Sequence, residues 1–392
     1  MVGGDTAWMM VATVLVLFMT LPGLALFYGG LVRASNVLSV FLQCFAITFV
    51  ASLLWFALGY SIAFGDGNAV WGGLGKIFLA GIGPETLRGT IPENLFFLFQ
   101  MTFAIITPAL IIGAFVERVR FAFVLAFSAF WLLLVFCPIA YWIWGGGFLG
   151  DGGIWGATGV RDFAGGIVVH VTAGAAALVL ALMIGRRIDT TQMPHNPGYV
   201  LIGAGMLWIG WFGFNGGSAL AANGAAASAM AVTHIAAVAG ALSWWIWEGI
   251  RTGRVTLVGM VTGAVAGLAT ATPTAGYIHP VAAMIGGGIA GIVCQEAQML
   301  IRLRLKIDDS LDVFAVHCVG GSLGIILLAV FGAAPVTAQV GSLVICIAWT
   351  VTMTYVIAQL LRGLIPMRVT PEEEVQGLDI AVHGERAYLL DT

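Results

Sequence analysis

The sequence predicts an all-α protein that crosses a membrane many times, and three observations support this fold class. Hydrophobic residues make up 60% of the 392 residues. Charged residues make up only 9%, against about 25% in a soluble globular protein. Glycine reaches 54 residues, and small residues let membrane helices pack closely. This composition excludes a secreted enzyme, a nucleic-acid binder and a disordered chain.

Eleven apolar segments follow one another, each long enough for the ~30 Å hydrocarbon core of a bilayer. A β-barrel is disfavoured because its strands would alternate polar and apolar residues, whereas the segments stay apolar throughout. No Lys or Arg precedes the first segment, so we expect it to be retained rather than cleaved as a signal peptide. The predicted transmembrane helices cover residues 6–32, 37–64, 93–116, 121–143, 163–185, 198–222, 228–249, 256–274, 281–300, 311–332 and 336–361.

The distribution of basic residues predicts the orientation of these helices. If the N-terminus is outside, thirteen of the sixteen Lys and Arg residues lie in cytoplasmic segments, as the positive-inside rule requires. Only Lys76, Arg88 and Arg161 would lie outside. We therefore predict a multi-pass protein of the plasma (inner) membrane, with its N-terminus outside and its C-terminus in the cytoplasm. The transmembrane domain covers residues 1–363, and residues 364–392 form a cytoplasmic tail.

The fifth and tenth segments share a pattern. DFAGGIVVHVTAG (162–174) and DSLDVFAVHCVGG (309–321) both read D-x7-H-x3-G. Five segments separate the two copies, so the second would cross the membrane in the opposite direction. This predicts an inverted five-plus-five repeat, with halves at about 6–185 and 198–332 and an eleventh helix at 336–361. In such folds the substrate path lies at the interface between the halves.

The same pattern brings two histidines to one depth. His170 and His317 each lie eight residues inside their aspartate, or about 12 Å along a helix, so both reach the centre of the bilayer. An ionisable group there usually faces a path and finds a partner. A pore-lining pair is favoured over two histidines that only hold helices together. Metal ligation is the third possibility, but a zinc site needs another ligand, and Cys318 points away from His317.

Other residues fit a cation site less specifically. Asp162 is placed to cap the fifth helix and could add negative potential near its outer end. The aromatic and glycine-rich segments IGWFGFNGGSAL (209–220) and WIWGGG (142–147) could present rings to a cation. The five cysteines lie in apolar segments without metal-type spacing, so we expect no disulfide and no metal site.

Several longer motifs carry a family resemblance that covers essentially the whole chain. They are LFYGGLVR (26–33), FQMTFAIITPALIIGAFVERVRF (99–121), WGGGFL (144–149), DFAGGIVVH (162–170), GWFGFNGGSALAAN (210–223), DVFAVH (312–317) and GLDIAVHGERAY (377–388). Together they resemble the ammonium transporters of the Amt/MEP/Rh superfamily, on the Amt side. The resemblance implies the Amt/Rh-type fold, a homotrimer with one pore in each subunit, and no enzymatic activity or cofactor.

The resemblance also implies roles for particular residues. Trp144, Phe103 and Ser218 would recruit ammonium on the outer side, and Asp162 would support that site. Phe103 and Phe214 would form a gate below it, and His170 and His317 would line the narrow pore as the twin histidines. The cytoplasmic tail would pack against the inner face, where a trimeric PII signalling protein docks in similar proteins.

The expected function is therefore ammonium transport through the lipid bilayer. Ammonium would lose its proton near the gate and cross as ammonia, and the proton would either follow through the histidines or return outside. Two alternatives use the same residues: an ammonium sensor and a neutral Rh-type gas channel. An intramembrane enzyme is disfavoured because the sequence has neither HExxH nor a GxSxG-like serine with a base.

Overall fold

The computed structural model describes residues 1–190 and 193–388, and it is almost entirely helical. In these residues nine helices are long and apolar enough to span a membrane, and α8 and α10 are shorter apolar helices. This confirms the prediction of an all-α, multi-pass membrane protein. The helices are α1 (Gly3–Leu31), α2 (Ala34–Phe64), α3 (Glu93–Ala114), α4 (Phe121–Trp144), α5 (Gly166–Ile184), α6 (Pro197–Gly217), α7 (Gly224–Thr252), α8 (Leu257–Ala271), α9 (Pro280–Arg304), α10 (Phe314–Val330) and α11 (Val336–Arg362).

The largest differences from the predicted bounds lie between α6 and α7. The sixth helix ends at Gly217, five residues before its predicted end, and the seventh begins at Gly224 rather than residue 228. The side chain of Asn223 accepts hydrogen bonds from the backbone N–H groups of Ala225 and Ala226. This cap starts α7 early, and the residues between the helices form a short loop.

Between α2 and α3 the chain leaves the helical bundle and forms a small hairpin. A single 3₁₀ turn at Ile77–Leu79 precedes strand β1 (Leu87–Arg88), which pairs antiparallel with β2 (Ile91–Pro92). Gly89 in the connecting turn has φ of +64°, which glycine adopts readily because it has no Cβ. The hairpin holds Arg88 opposite Ile91 and leads directly into α3.

The fifth and tenth helices both begin with a π-helical turn, at Gly166–Val171 and Phe314–Val319. His170 and His317 lie in these turns. π-Helical turns are rare and often occur at functional sites. Both segments of the D-x7-H-x3-G pattern therefore show the same departure from ideal helix geometry.

The glycines of that pattern bring the two helices together. A Cβ atom at Gly174 of α5 would overlap the backbone nitrogen of Cys318 on α10. A Cβ atom at Gly321 of α10 would lie 2.7 Å from the carbonyl oxygen of Gly166 and 3.0 Å from Cβ of His170. Each glycine thus removes the side chain that would hold the two helix backbones apart.

The tail packs against the first turns of α2 in the same chain. Residues 389–392 lie outside the described residues. It forms two short helices, α12 (Pro371–Gln376) and α13 (Leu378–His383). The carboxylate of Asp379 accepts hydrogen bonds from the backbone N–H groups of Leu38 and Ser39, before α2 enters the bundle core. The backbone N–H of Leu378 donates to Asn36, at 2.8 Å.

Candidate functional site

A cavity of about 300 Å³ opens at the end of the bundle that holds the α6–α7 loop. Phe103, Trp144, Asp162 and Ser218 all line it. These residues come from α3, from the end of α4, and from the segments before α5 and after α6. The structure thus brings the four residues of the predicted recruitment site to one place. We call this cavity the outer vestibule.

Two aromatic rings in the outer vestibule form a right-angled corner. The Phe103 and Trp144 ring centroids lie 6.1 Å apart, at an interplanar angle of 85°. Trp144 is held in place because its indole Nε1–H donates to the carbonyl oxygen of Asp162 at 2.8 Å. A small cation in this corner would meet the electron-rich face of a ring.

Ser218 supplies the polar part of the same corner. Its hydroxyl donates to the carbonyl oxygen of Phe214 at 2.8 Å, one helical turn earlier. A hydroxyl carries a single hydrogen and two lone pairs. Because that hydrogen is already engaged, the free lone pairs of Ser218 can accept a hydrogen bond from an N–H donor in the vestibule.

The rings of Phe103 and Phe214 close the path beneath this corner. Their centroids are 4.3 Å apart, and the rings are inclined by 38°. Phe103 is 1% exposed and Phe214 is fully buried. The two rings predicted to form the gate are therefore in contact and shielded from solvent.

Asp162 caps α5 from three residues before the observed N-cap, because the helix begins at Gly166 rather than at residue 163. The first residue before α5 is Gly165, in a left-handed conformation, and the Asp162 carboxylate reaches past it. It accepts hydrogen bonds from the backbone N–H groups of residues 165 to 168, at 2.5 to 3.2 Å. Burial raises the pKa of this carboxyl, and the four hydrogen bonds act in the opposite direction. Both the capping role and the place beside the vestibule were predicted.

The two histidines meet below the phenylalanine pair. Nδ1 of His317 lies 3.1 Å from Nδ1 of His170, and the imidazole planes are inclined by only 20°. His170 in turn stacks on Phe214, with ring centroids 6.0 Å apart. A continuous series of rings therefore leads inward from the outer vestibule, in the order Trp144, Phe103, Phe214, His170 and His317.

A second cavity, of about 390 Å³, lies at the other end of this ring series, and His317 lines it. The same cavity is lined by Arg187, Arg302 and Asp312, and the Arg302 and Asp312 side chains form an ion pair at 2.5 Å. We call it the inner vestibule. The twin histidines thus separate an aromatic cavity from a charged one.

Asp309, which opens the second copy of the sequence pattern, is held less completely than Asp162. Its Oδ2 accepts one hydrogen bond, from the backbone N–H of Phe314 at 2.7 Å, while Oδ1 is buried without a partner in the described residues. Burial, and secondarily the neighbouring Asp312, raises the pKa of Asp309 to about 7. Asp308, the preceding residue, pairs with Arg187.

Sequence reasoning missed Thr272, just after α8, which fixes the orientation of His170. Its hydroxyl donates to the carbonyl oxygen of Leu268 and accepts the indole N–H of Trp211, both at 2.9 Å. His170 Nε2 lies 3.1 Å from the same oxygen. While the single hydroxyl hydrogen points to Leu268, Thr272 can only accept from His170, which assigns the proton of His170 to Nε2.

The histidine tautomers follow from this contact. With Nε2 protonated, Nδ1 of neutral His170 is an acceptor, so Nδ1–H of His317 donates to it. Nε2 of His317 is then free of hydrogen and able to accept a proton. No sequence signal marks Thr272, because it belongs to neither copy of the repeated pattern and reaches the pore through tertiary packing.

Comparison with known proteins gives one consistent family. A profile of the Ammonium Transporter Family matches residues 7–388. The chain is 45% identical to a putative ammonium transporter of Methanothermobacter thermautotrophicus, over 99% of this chain and 98% of that protein. It is 42% identical to an ammonium transporter of Bacillus subtilis, over 98% of each.

Comparison with solved structures gives the same family as comparison of sequences. The chain superposes on a protein described as a sensor Amt protein with a TM-score of 0.88 and 29% identity, covering 97% of this chain and 98% of that one. Candida albicans Mep2 gives a TM-score of 0.84 and 33% identity, covering 94% of this chain and 87% of that one. The fold and the sequence therefore point to the same group of membrane proteins.

Proposed function

This chain belongs to the ammonium transporter family, whose named members are transporters and not enzymes, and we propose that it carries ammonium inward as ammonia and a separate proton. The observation that carries this proposal is the ring series from Trp144 to His317, which joins the two vestibules. It contains aromatic faces at its outer end and titratable nitrogens at its inner end.

Recruitment takes place in the outer vestibule. The corner of Phe103 and Trp144 offers ring faces to a cation, an attraction worth about 2 kcal/mol when the cation is desolvated. Ser218 accepts one N–H of ammonium, and Asp162 supplies negative charge nearby. Potassium resembles ammonium in charge and size, and the oxygen of Ser218 can coordinate it too, so recruitment alone does not separate the two ions.

Selection is completed by deprotonation. Below the Phe103 and Phe214 pair the path is apolar, and an isolated charge in such surroundings is very costly. Ammonium can leave its proton behind and continue as neutral ammonia, whereas potassium cannot become neutral. The gate therefore discriminates by chemistry rather than by ionic radius.

The histidine pair carries the proton in this proposal. Rotation of the His317 ring opens the hydrogen bond, and Nδ1 of His170 then takes the proton that ammonium gives up. The doubly protonated His170 passes this proton to the unprotonated Nε2 of His317, and His317 releases its Nδ1 proton inward, so both histidines are neutral again. The inner vestibule beyond His317 holds Asp312, which can receive the proton. Net movement of one positive charge follows for each ammonia that crosses, so transport produces a current.

The test is the current from purified protein in proteoliposomes after an ammonium pulse, with a potassium pulse and empty liposomes as controls. We expect an ammonium-specific current in the wild type and its loss when His170 and His317 are both replaced by phenylalanine. His234 of α7 is exposed and lies outside the ring series, so His234→Phe is the matched control and should keep the current. Undiminished ammonium current in the double variant would contradict the relay.

A sensor is the second candidate, because one similar structure is of a protein described as a sensor Amt protein. Ammonium binding without current and without alkalinisation of the liposome lumen would favour it. A neutral Rh-type gas channel would alkalinise the lumen without producing a current. The same experiment therefore separates the three possibilities.

The topology and assembly belong to the same proposal. Eleven membrane-spanning helices, with α8 and α10 counted among them, would form an inverted five-plus-five repeat in which α5 and α10 correspond. The N-terminus would be outside the plasma membrane and the C-terminus in the cytoplasm. Three copies would assemble into a homotrimer with one pore in each. Cysteine labelling from either side of the membrane, at positions introduced in the terminal segments, tests the orientation.

The cytoplasmic tail, residues 364–392, would help a PII signalling protein to bind and block the pore. Its packing against the loops before α2 and α4 supports this proposal, because a docked partner would then contact tail and pore face together. Arg368 of the tail pairs with Val119 through a β-bridge and with Glu374 through an ion pair at 2.7 Å. Unaltered capture of PII protein by a chain truncated after Pro366 would contradict a role for the tail.

A further inference from the structure

The outer vestibule contains a second right-angled pair of aromatic rings besides Phe103 and Trp144. Phe64, at the end of α2, and Phe96, in α3, have ring centroids 5.0 Å apart and an interplanar angle of 83°. Both residues line the same cavity as Ser218. The vestibule therefore offers two aromatic corners of nearly the same geometry.

The second corner already holds a cation. The guanidinium carbon of Arg88 lies 4.3 Å from the ring centroid of Phe96 and 5.1 Å from that of Phe64. Both distances are within the roughly 6 Å range of a cation–π interaction. Within the described residues, no Lys or Arg lies in the same way over Phe103 or Trp144.

The positive charge of Arg88 is only partly neutralised. Its nearest carboxylate is Glu93, at 3.9 Å. Glu93 is held more closely by the ammonium group of Lys76 and by the hydroxyl of Tyr60, both at 2.7 Å. Lys76 thus takes up most of the negative charge of Glu93, and the side chain of Arg88 remains 31% exposed at the edge of the vestibule.

Other charges around the vestibule are matched by their own partners. Arg161 forms an ion pair with Asp151 at 3.0 Å. Asp162 is engaged by four backbone N–H groups. Arg88 is consequently the lining side chain whose charge acts most directly on a cation that enters.

We propose that Arg88 is a specificity-determining residue: its guanidinium fills the Phe64 and Phe96 corner, so bulky cations cannot bind there, and its charge weakens ammonium recruitment at the neighbouring corner. This inference rests on the proposed transport function. Conduction requires that an ion bind well enough to enter and weakly enough to leave. A fixed positive charge beside the recruitment site prevents the vestibule from retaining ammonium or holding two cations at once.

The first test separates charge from shape. Arg88→Met keeps a long apolar side chain over the rings but removes the charge, and Arg88→Lys keeps the charge. Lys76 and Tyr60 still hold Glu93 in both variants, so the hairpin should fold. Arg254→Met, in the exposed turn between α7 and α8 at the other end of the bundle, is the matched control.

The readout is the KM for ammonium, taken from proteoliposome currents at two salt concentrations. At about 0.01 M salt, where the screening length is about 30 Å, we expect Arg88→Met to lower KM about two- to fivefold. At about 1 M salt, where screening acts over about 3 Å, the difference should vanish. Arg88→Lys and Arg254→Met should keep the wild-type KM at both concentrations.

Several results would overturn the proposal. One is an unchanged or increased KM for Arg88→Met at low salt, and another is a decrease that persists at high salt or appears equally in Arg88→Lys. A wild type without any ammonium current would instead refute the proposed function itself. The two failures are therefore distinguishable.

A second measurement tests occupancy of the aromatic corner. Tetramethylammonium is a bulky cation that aromatic corners bind through cation–π attraction. We expect it to inhibit the ammonium current of Arg88→Ala at least tenfold more strongly than that of the wild type. Equal inhibition of the two proteins would show that Arg88 does not close this corner.

Discussion

The segments 162–174 and 309–321 share one sequence pattern, but the structure holds them to different degrees. Asp162 accepts four backbone N–H groups, whereas Asp309 accepts one and leaves Oδ1 without a partner in the described residues. His170 contacts Thr272 and stacks on Trp211, while His317 bonds only to His170 in the described part of the chain.

Repeated residues therefore need not have repeated chemistry. The first copy is fixed by neighbouring hydrogen-bond partners. The second copy has unused acceptors beside a charged cavity, which suits the proton acceptance proposed for it.

The two copies are alike in their glycines, Gly174 and Gly321, which let α5 and α10 pack closely. Replacing one of these glycines should cause the largest loss of stability. Gly174→Ala would push a methyl group into the backbone of α10, which cannot move away as a side chain could. We expect a loss of about 3 kcal/mol or more, at or above the upper end of the usual ~1–3 kcal/mol for overpacking, because the obstacle is backbone. The measurement is the unfolding temperature in detergent together with transport.

Gly288→Ala in α9 is the control, because nothing lies within 4 Å of a Cβ atom there. That change should be neutral or stabilising by about 0.5–1 kcal/mol, since alanine favours the helix. If Gly174→Ala unfolds at the same temperature as Gly288→Ala, the close crossing of α5 and α10 is wrong.

Replacement of the capping carboxylates, Asp162 and Asp309, should have the next largest effect, and the two replacements should cost different amounts of stability. Asp162→Ala leaves four buried N–H groups without their acceptor, and each such group costs about 1–3 kcal/mol; we expect a loss of at least about 3 kcal/mol and of transport. Asp309→Ala removes one accepted hydrogen bond and one costly buried carboxyl, so its loss should be about 1 kcal/mol or less. Equal losses in thermal unfolding would contradict the contrast.

The sequence could predict much of this arrangement because its signals are local or periodic. Apolar length predicts the helices, and the D-x7-H-x3-G spacing predicts that His170 and His317 reach one depth, where the structure has them 3.1 Å apart at Nδ1. The capping role of Asp162 was also predicted, although the left-handed Gly165 moves the start of the helix by several residues.

Contacts between distant segments could not be predicted in the same way. Thr272 meets His170 across 102 residues, and Arg88 reaches Phe64 and Phe96 only because the β1–β2 hairpin folds back over the vestibule. Asp308 and Asp309 are adjacent and chemically identical. Both are buried, but Asp308 pairs with an arginine while Oδ1 of Asp309 has no partner in the described residues, a distinction set by packing rather than by residue type.

The pH dependence of folding stability should also differ between the two copies, because Asp309 titrates near neutral pH. Because the pKa of Asp309 is raised to about 7 by burial and then by Asp312, its contribution to stability is fully present below its ordinary pKa. That contribution is lost as pH rises through about 7. About three pKa units correspond to a change of up to about 4 kcal/mol, shared in practice with Asp312 and the nearby Arg302. Wild type should therefore unfold at a lower temperature at about pH 8 than at about pH 5.

Asp309→Asn should remove most of that pH dependence because the amide cannot ionise. Asp151→Asn is the control: this carboxyl is exposed and its pKa is lowered by the backbone N–H of Gly159, opposed by slight burial and aided by Arg161. It should leave the loss of stability between the two pH values intact. A pH dependence of unfolding in Asp309→Asn equal to that of wild type would place the titrating group elsewhere.

The smallest expected effect comes from Thr272, whose hydroxyl makes the two histidines unequal. Thr272→Val keeps the shape of the side chain but removes the acceptor for both His170 Nε2–H and the Trp211 indole N–H, so either tautomer of His170 becomes accessible. We expect the ammonium current to fall about three- to tenfold, because only part of the molecules then has His170 Nδ1 ready to accept a proton. Thr274→Val, which removes only a hydroxyl that donates to the carbonyl oxygen of Ala271, should retain the current. A wild-type current in Thr272→Val would mean that Thr272 does not decide which histidine donates the hydrogen bond between the two Nδ1 atoms. The two histidines would then be equivalent in proton transfer despite their different surroundings.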